Sequence, residues 1–329
     1  MIDKILTICL PAYNGEQYIK ECIISILNCN HKDRLQILAV NDGSKDGTKD
    51  IVTALAQQYP DIIEFYDREN GGTGAVYNFC IPKAQGRYFM IVDQDDRIST
   101  KELDRFIEDI ELCQSDLITY RLVRFGRKNG EGQSITNLDY KKEYLCDEVY
   151  TRLNMFIHNI AFRTEVLQNN GIKADDAYVQ YCDTSLVLRA TPYLKTVTCF
   201  DEEVYEYRIN TEQGMSARGV VHYIDALELV LKFVYDYYEN ALLENKLSKE
   251  KMDYISGIAS GTIATVYDSL SLVWKGRSLR VKRLNEWVTD EALWSNTPLS
   301  ARIIRLNNPI LNTIVGCAYY IYKRYVWHG

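Results

Sequence analysis

Residues 35–48 read LQILAVNDGSKDGT, an apolar run that is followed directly by a polar loop with two glycines. A short run rich in Leu, Ile and Val predicts a buried strand. After the loop, apolar residues recur between positions 51 and 59 at the spacing of one helical face, with Asp46 or Thr48 as the predicted helix cap. The stretch therefore predicts a strand, a loop and a helix in succession.

The same succession repeats through the first 125 residues. A further helix is predicted at residues 16–28, where apolar side chains recur at i, i+3, i+4, i+7 and i+8. Strands that alternate with helices form a mostly parallel sheet with helices on both faces, which is an α/β, Rossmann-like architecture. The predicted strands are residues 5–10, 35–40, 62–66, 88–92 and 117–125.

Beyond these strands the pattern changes to long helical segments. From about residue 220, the apolar positions follow helical periodicity to the end of the chain. We place a boundary near residue 215, which predicts an α/β domain over residues 1–215 and a helical C-terminal region over residues 216–329. Residues 126–150 are polar and contain several glycines, and they are interpreted as a surface excursion over the site.

The composition excludes one class of partner. The 329 residues carry 38 Lys and Arg against 45 Asp and Glu, a formal net charge of −7. An acidic chain argues against non-specific binding of nucleic acid, which needs a positive surface. The nine cysteines include no C-x-x-C pair and fall mostly within apolar runs, which predicts reduced, buried thiols in a cytoplasmic protein.

No signal peptide is predicted, because residues 1–10 contain Asp3 and Lys4 and their apolar run ends at Pro11. No run reaches 18 uninterrupted apolar residues, so no membrane span is predicted either. The apolar run 310–322 is followed by basic and aromatic residues, a pattern typical of a helix that rests on a membrane surface, here the inner face of the cell membrane. A helix that docks on its own domain, or on a second copy of the chain in a homo-oligomer, is the alternative of equal weight.

Polar loops follow four of the predicted strands, at the edge where parallel sheets bind their ligands. Each loop taken singly could be only a turn, because Gly, Asn and Asp are common in turns. Their shared position at the carboxyl ends of strands indicates a binding site. The loops are residues 11–15, 41–48, 69–74 with Asn78, and 93–96.

The side chains in these loops indicate the ligand. Asp93 and Asp95, brought together by a turn that begins at Asp93, offer the hard oxygens that hold Mg²⁺ or Mn²⁺. A carboxylate-bound cation with open positions typically serves phosphate oxygens. Asp42 can accept a hydrogen bond from the imide of a pyrimidine, and Gly71 and Gly72 let the backbone approach a ligand closely. The loops therefore predict a site for a nucleoside diphosphate and a metal ion.

The ordered motifs resemble those of family 2 glycosyltransferases, which are inverting enzymes of the GT-A fold that use nucleotide sugars. The motifs are PAYN at 11–14, NDGSKDGT at 41–48, NGG at 70–72 and VDQDD at 92–96. The resemblance extends from residue 1 to about residue 215 and fades in the helical region. It implies a nucleotide-sugar donor, with UDP as the expected nucleotide, and a glycan or lipid-linked saccharide acceptor.

The resemblance also implies roles for individual residues. Asp183, in the stretch YCDTSL at 181–186, takes the role of the general base. Asp95 takes the role of ligand to Mn²⁺ or Mg²⁺, with Asp93 as an additional ligand, and residues 205–208 and 214–216 form the segment that closes near the diphosphate. The residues implied in binding the nucleotide sugar are Pro11, Ala12, Tyr13, Asn14, Asp42, Gly71, Gly72, Asn78, Asp93, Gln94 and Arg208.

Two positions depart from the family pattern. Cys182 stands where a Glu usually precedes the base, and Tyr77 stands where an Arg often precedes Asn78. These departures leave open a non-catalytic partner subunit that binds nucleotide sugars. A sugar-nucleotide nucleotidyltransferase is the other alternative, although it would need a glycine-rich loop with a basic residue after the first strand. The Gln-x-x-Arg-Trp signature of processive synthases is absent, which favours the addition of one sugar.

The histidines and the glycines at 72 and 74 give weaker signals. The four histidines have no metal-ligand spacing and are interpreted as structural or surface residues, with His158 at a position where the family places acceptor-side residues. The two glycines lack the third glycine of a dinucleotide-binding fingerprint, since Tyr77 stands in its place. A Rossmann dehydrogenase is therefore not predicted.

Overall fold

The apolar runs of the first hundred residues form parallel strands in the computed structural model, which describes residues 4–126, 136–176, 182–209, 220–270 and 277–306. The first four strands are β1 (Leu6–Ala12), β2 (Leu35–Asp42), β3 (Ile63–Arg68) and β4 (Tyr88–Ile91). They lie in the order β3-β2-β1-β4, and every residue of β2 is buried. A strand buried on both faces needs a mainly apolar run, which is why β1, β2 and β4 are rich in apolar residues, whereas β3 at the edge carries more polar ones.

The later strands extend this sheet and build a second, smaller one. Their bounds are β5 (Arg97–Ile98), β6 (Leu117–Thr119), β7 (Leu122–Gly126), β8 (Glu143–Leu145), β9 (Ile160–Arg163), β10 (Thr196–Cys199) and β11 (Tyr205–Ile209). The large sheet has the order β3-β2-β1-β4-β9-β6-β10-β8, in which only β9 and β8 of the described strands run against the others. The small sheet has the order β5-β11-β7. The predicted α/β architecture with a mostly parallel sheet is thus confirmed.

The prediction of one strand at residues 117–125 is wrong. β6 belongs to the large sheet and β7 to the small one. Between them, the N–H of Tyr120 donates to the carbonyl of Asn159 and the N–H of Arg121 donates to that of Glu202. The chain therefore changes partners at this point, which an apolar run cannot reveal, because both strands are apolar.

Helices connect the strands of the first unit. α1 buries Ile19, Cys22, Ile23, Ile26 and Leu27, the positions that the helical spacing selects. The bounds are α1 (Ile19–Leu27), α2 (Thr48–Gln58), α3 (Thr73–Cys80), α4 (Thr100–Ile110), α5 (Cys146–Val149), α6 (Thr164–Asn169) and α7 (Cys182–Ala190). Of the predicted excursion at 126–150, the described residues contain β8, which forms one edge of the large sheet.

The chain divides into two compact units, Met1–Thr211 and Glu212–Gly329. The described part of the second unit is helical, as predicted, and none of its helices or those of the first unit is long and apolar enough to cross a membrane. Its helices are α8 (Val220–Glu244), α9 (Lys249–Leu270), α10 (Arg277–Trp287), α11 (Glu291–Ser295) and α12 (Leu299–Arg305). The predicted interfacial helix at 310–322 and the closing segment at 214–216 lie outside the described residues.

Candidate active site

The loops after β1, β2, β3 and β4 meet at one edge of the large sheet, because these strands are parallel neighbours. This confirms that the four polar loops lie at a common edge. Pro11 and Ala12 form the last pairs of β1, opposite Val40 and Asn41. The Ala12 side chain belongs to the hydrophobic core, so this part of the motif shapes the edge through its backbone.

The first two loops brace each other. Asn14 has a left-handed φ of 49°. Its side-chain Oδ1 accepts a hydrogen bond from the N–H of Lys45 at 2.8 Å, and its own N–H donates to Oγ of Ser44 at 3.0 Å. Asn14, predicted to bind the nucleotide, therefore fastens one loop to the other in this structure.

Asp42 holds the glycine loop that follows β3. Its Oδ1 and Oδ2 accept hydrogen bonds from the N–H groups of Gly71 and Gly72 at 3.0 and 2.8 Å. Gly72 has a φ of 83°, a conformation that glycine adopts without strain. The contact with a nucleobase predicted for Asp42 would use the lone pairs that these two hydrogen bonds leave on the carboxylate.

Gln94 joins the fourth loop to the first. Its side-chain oxygen accepts from the N–H of Tyr13 at 2.9 Å, and its side-chain N–H donates to the carbonyl of Tyr13 at 2.8 Å. The side-chain oxygen and nitrogen of Gln94, which is predicted to contact the donor, thus both form hydrogen bonds with the backbone of Tyr13. The ring of Tyr13 remains 40% exposed, which leaves an aromatic surface beside the loops.

The acidic turn after β4 begins at Asp93 as predicted, since the N–H of Asp96 donates to the Asp93 carbonyl at 3.1 Å. β11 holds this turn from a distant part of the chain. The Tyr205 hydroxyl donates to Oδ2 of Asp96 at 2.7 Å, and the N–H of Arg208 donates to Oδ1 at 2.6 Å. Burial, and then the charge of Asp93, raises the pKa of Asp96 to about 7.

The side chain of Arg208 also supports the acidic turn. Its Nε donates to the carbonyl of Asp95 at 2.6 Å, and its Nη2 contacts Oε2 of Glu21 at 2.6 Å. The guanidinium lies 4.4 Å from the ring centre of Phe125. Arg208, predicted to bind the donor, is therefore engaged within the chain in this structure.

His158 faces the acidic turn, a contact that its place in the sequence does not reveal. Its Nε2 lies 3.0 Å from Oδ2 of Asp93, and its ring packs beside those of Tyr205 and Tyr207. Burial alone would lower the pKa of His158, but the charge and hydrogen bond of Asp93 raise it to about 9. His158 in turn keeps the pKa of Asp93 below its ordinary value despite burial. At neutral pH the two side chains form a partly buried ion pair.

Asp93, Asp96 and His158 form a candidate metal site. One ligand atom of each lies within 4.8 Å of the others. Carboxylate oxygens suit Mg²⁺ and Mn²⁺, and an imidazole nitrogen is an acceptable ligand for Mn²⁺, so the donor set fits the predicted cation. Among the described residues this cluster does not include Asp95, the predicted ligand, whose carbonyl accepts from Arg208.

Asp183, the predicted base, lies in the first turn of α7 and is half-buried. Burial raises its pKa; the N–H of Thr184 and the charge of His158 act in the opposite direction, and the charge of Asp93 adds to the rise. α7 contacts the short turn Ile157–Asn159 that carries His158. The helix with the predicted base therefore lies close to the histidine that faces the acidic turn.

α3 lies close against the segment that leads into α7. A Cβ on Gly74 would lie 2.4 Å from the carbonyl oxygen of Asp175 and 3.1 Å from Cβ of Cys182, so the approach requires glycine. Asn78 exchanges hydrogen bonds of 3.0 and 2.8 Å with the backbone of Ala174. Asn78, predicted to contact the donor, therefore also positions this segment.

Tyr77 and Cys182, the two residues that depart from the family pattern, contact each other. Tyr77 and Cys182 are both buried and share a hydrogen bond. Burial, followed by the charges around it, raises the pKa of Tyr77, and burial likewise raises the pKa of Cys182. A neutral pair thus stands where the family pattern has two charged residues.

Comparisons with known proteins bear on this architecture. The family model Glycosyl transferase family 2 matches residues 7–171, half of the chain. An uncharacterised glycosyltransferase of Rickettsia typhi is 32% identical over 159 residues, which are 47% of this chain and 48% of that protein. The minor teichoic acid biosynthesis protein GgaB of Bacillus subtilis is 26% identical over 214 residues, 64% of this chain and 23% of that protein.

The chain thus spans about half or less of the length of these two relatives. Among solved structures, S. aureus TarS 1–349 in complex with UDP-GlcNAc matches with a TM-score of 0.72 at 17% identity, over 96% of this chain and 92% of that chain. At this identity the likeness concerns the fold. The match to the family model, together with the sheet and its four loops, shows that the chain belongs to glycosyl transferase family 2.

Proposed function

We propose that this chain is a metal-dependent inverting glycosyltransferase. It moves one sugar from a nucleotide sugar, with UDP as the nucleotide, to a hydroxyl of a glycan or lipid-linked acceptor. The observation that carries the proposal is the cluster of Asp93, Asp96 and His158, whose ligand atoms lie within 4.8 Å of one another, with α7 and its half-buried Asp183 in contact with the turn that carries His158. A base and a charged cluster in one site are what transfer from a phosphate leaving group requires.

The donor side supports a nucleotide ligand. The exposed ring of Tyr13 and the carboxylate of Asp42, which holds the glycine loop, are suited to a nucleoside, and Pro11 lies beside them at the end of β1. Asp93 would contact the ribose or the sugar. The fold shared with TarS, solved with UDP-GlcNAc, favours UDP.

Asp183 accounts for activation of the acceptor. An acceptor hydroxyl has a pKa far above neutral, so a base must take its proton in the transition state. Burial raises the pKa of Asp183 and makes the carboxylate a stronger base than an exposed aspartate. A base on the face opposite the leaving diphosphate gives a single displacement, which inverts the anomeric carbon.

The acidic turn accounts for the leaving group. The diphosphate gains charge as the bond to the sugar breaks, and a divalent cation, when bound, neutralises that charge as a Lewis acid. Asp93, Asp96 and His158 fit this cation, and Asp95 is the ligand that the family pattern adds. The hydrogen bonds from β11 keep the turn preorganised, so that little reorganisation is needed during the reaction.

Two alternatives follow from other features. The neutral contact between Tyr77 and Cys182 is the observation that favours a non-catalytic partner subunit that binds nucleotide sugars without transfer. A sugar-nucleotide nucleotidyltransferase would release pyrophosphate rather than UDP. Peripheral contact of the C-terminal region with a membrane, and a homo-oligomer, remain predictions from the sequence.

The experiment begins with a panel of nucleotide sugars and Mn²⁺, with and without a chelator. Thermal shifts identify the donor, because a ligand that binds only the folded chain raises the melting temperature. The selected donor is then incubated with glycan and lipid-linked acceptors, and released UDP is measured together with the anomeric configuration of the product by NMR.

We expect donor binding, metal-dependent release of UDP and an inverted product. Release of pyrophosphate would support the nucleotidyltransferase instead. Donor binding without hydrolysis or transfer to any acceptor would support the partner subunit.

A further inference from the structure

The ring of His158 is held in place by the turn that carries it. The N–H of Phe156 donates to Oδ1 of Asn159 at 2.7 Å, and Nδ2 of Asn159 donates to the carbonyl of Asn154 at 2.8 Å. Asn159 is buried, and the His158 ring packs against Tyr205, with ring centres 5.2 Å apart. The position of Nε2 at the acidic turn is therefore built into the fold.

The geometry of the pair also suits a cation. In an octahedral site with ligands at about 2.1 Å, neighbouring ligand atoms lie about 3 Å apart. Nε2 of His158 and Oδ2 of Asp93 are separated by 3.0 Å. An oxygen of Asp96 lies within 4.8 Å of both ligand atoms, and both oxygens of this carboxylate accept hydrogen bonds from β11.

We propose that His158 is a nitrogen ligand to the divalent cation of this site and that it makes the site select Mn²⁺ over Mg²⁺. This inference rests on the proposed metal dependence, which it extends to one residue and one choice of metal. In the absence of a cation, the same atoms form the hydrogen bond between His158 and Asp93. The cation takes the lone pair of Nε2 that otherwise holds the proton, so its binding releases that proton to solvent.

Selectivity follows from the chemistry of the two ions. Mg²⁺ demands oxygen ligands in a near-ideal octahedron and gives up its water reluctantly. Mn²⁺ also prefers oxygen, but as a transition-metal ion it binds an imidazole nitrogen more readily than Mg²⁺ does. A glutamine in place of His158 would offer an amide oxygen, so it can still ligate but removes the preference for Mn²⁺.

The test is pulsed EPR of bound Mn²⁺, which detects coupling to a ligating nitrogen nucleus, on the full chain with Mn²⁺ alone and with Mn²⁺ and UDP. Labelling histidine with ¹⁵N shifts the coupling if the nitrogen belongs to a histidine. The variant is His158→Gln. The matched control is His31→Gln, because Nε2 of His31 also lies 3.0 Å from a carboxylate, that of Glu108, but on the surface.

We expect histidine coupling in the wild type and in His31→Gln, and its loss in His158→Gln. The ratio of Mn²⁺ to Mg²⁺ affinity should fall at least roughly tenfold in His158→Gln, the lower end of what loss of even an indirect metal partner costs. Circular dichroism checks that the variants fold. If His158→Gln does not fold, the shift of the coupling in the ¹⁵N-labelled wild type alone tests whether a histidine ligates the ion.

Two results would overturn the inference. Mn²⁺ that binds the wild type without histidine coupling excludes His158 as a ligand but leaves the proposed metal dependence intact. Coupling that persists in His158→Gln assigns the nitrogen elsewhere. Absence of Mn²⁺ binding, with and without UDP, would instead remove the metal from the proposed function and this inference with it.

Discussion

The two sides of the site are built in different ways. The glycine side, formed by the loops after β1, β2 and β3, is held by hydrogen bonds between side chains and backbone, such as those that Asp42 accepts. The acidic side, formed by Asp93, Asp96, His158 and Asp183, carries groups whose pKa values are shifted by burial and by one another. The glycine side fixes a shape, whereas the acidic side concentrates charge.

This difference ranks the expected effects of substitution. Loss of one hydrogen bond in a braced loop costs the net free energy of that bond plus the desolvation of its partner. Loss of a charge on the acidic side removes a reacting group or leaves an opposite charge partly buried and unpaired, which costs more. We therefore expect the largest effects on the acidic side.

The largest effect is expected for Asp183→Asn. The amide cannot take the acceptor proton, so the rate of sugar transfer should fall on the order of 10²–10⁴-fold. Affinity for the donor should change little, because the donor is proposed to bind across the site from this helix. Rates of UDP release and calorimetric titration with the donor measure the two quantities.

Asp176→Asn is the control for this variant, because Asp176 is exposed and precedes α7 by only a few residues. It should transfer sugar at the wild-type rate. An active Asp183→Asn enzyme would refute the assignment of the base and with it the role of the acidic side in chemistry.

The second prediction concerns pH. The pKa of His158 is raised from 6.5 to about 9, so its contribution to stability is complete below pH 6.5 and disappears as the pH rises through 9. The free energy of unfolding of the metal-free chain should fall across this interval by up to about 3 kcal/mol, since one pKa unit corresponds to about 1.4 kcal/mol. Urea unfolding at pH 6 and pH 9.5 in chelator measures it.

His158→Gln should remove this decrease between pH 6.5 and 9. The free energy of unfolding should still fall at lower pH, as the pH rises from 3.8 to about 7, because the pKa of Asp96 is raised over this interval in the folded chain. An unchanged pH dependence in His158→Gln would show that the ion pair with Asp93 does not stabilise the acidic side.

The third prediction concerns Asp42→Asn on the glycine side. Asparagine offers one oxygen and an N–H₂ group, so one of the backbone N–H groups of Gly71 and Gly72 loses its acceptor. The free energy of unfolding should fall by about 2 kcal/mol, and affinity for UDP should fall because the loop loosens. Asp61→Asn, at an exposed carboxylate, is the control and should leave both quantities unchanged.

The smallest effect is expected for Tyr13→Ala. The ring is 40% exposed and the braces to Gln94 use only the backbone of Tyr13, so stability should not change. Loss of stacking on the base should weaken UDP binding by about 1 kcal/mol, or roughly fivefold. Tyr193→Ala, at another exposed ring, is the control for calorimetry. Equal affinities of the two variants would remove Tyr13 from the donor site.

The glycine side is also the part of the site that the sequence predicts well. β1 to β4, α1 and α2 each have an apolar pattern of their own, so the positions of the four loops follow from the rule for parallel strands. The turn at Asp93 and the buried face of α1 follow from local patterns in the same way.

The sequence could not show which neighbouring groups the predicted side chains contact. Asn14, Asn78 and Gln94 are predicted to bind the donor, and in this structure their polar atoms form hydrogen bonds to neighbouring segments of the chain. An amide that braces a loop and an amide that binds a ligand look identical in a sequence, because only the distance to the nearest backbone group separates the two.

The acidic side was predicted only in part, since its contacts join distant segments. His158 lies 65 residues beyond Asp93, and Tyr205 lies 109 residues beyond Asp96. No periodicity links such positions.

The hydrogen bonds from β11 to the acidic turn have a consequence for truncated forms of the protein and for its synthesis. The segment recognised by the family model ends at residue 171, before the groups of β11 that orient Asp96 and before α7 with Asp183, the proposed base. A fragment cut there would keep the DQDD sequence yet lack the strand that gives it a fixed conformation. On the ribosome, likewise, the acidic turn can adopt this conformation only after Arg208 has emerged, so the candidate site is completed after most of the sheet around it has been synthesised.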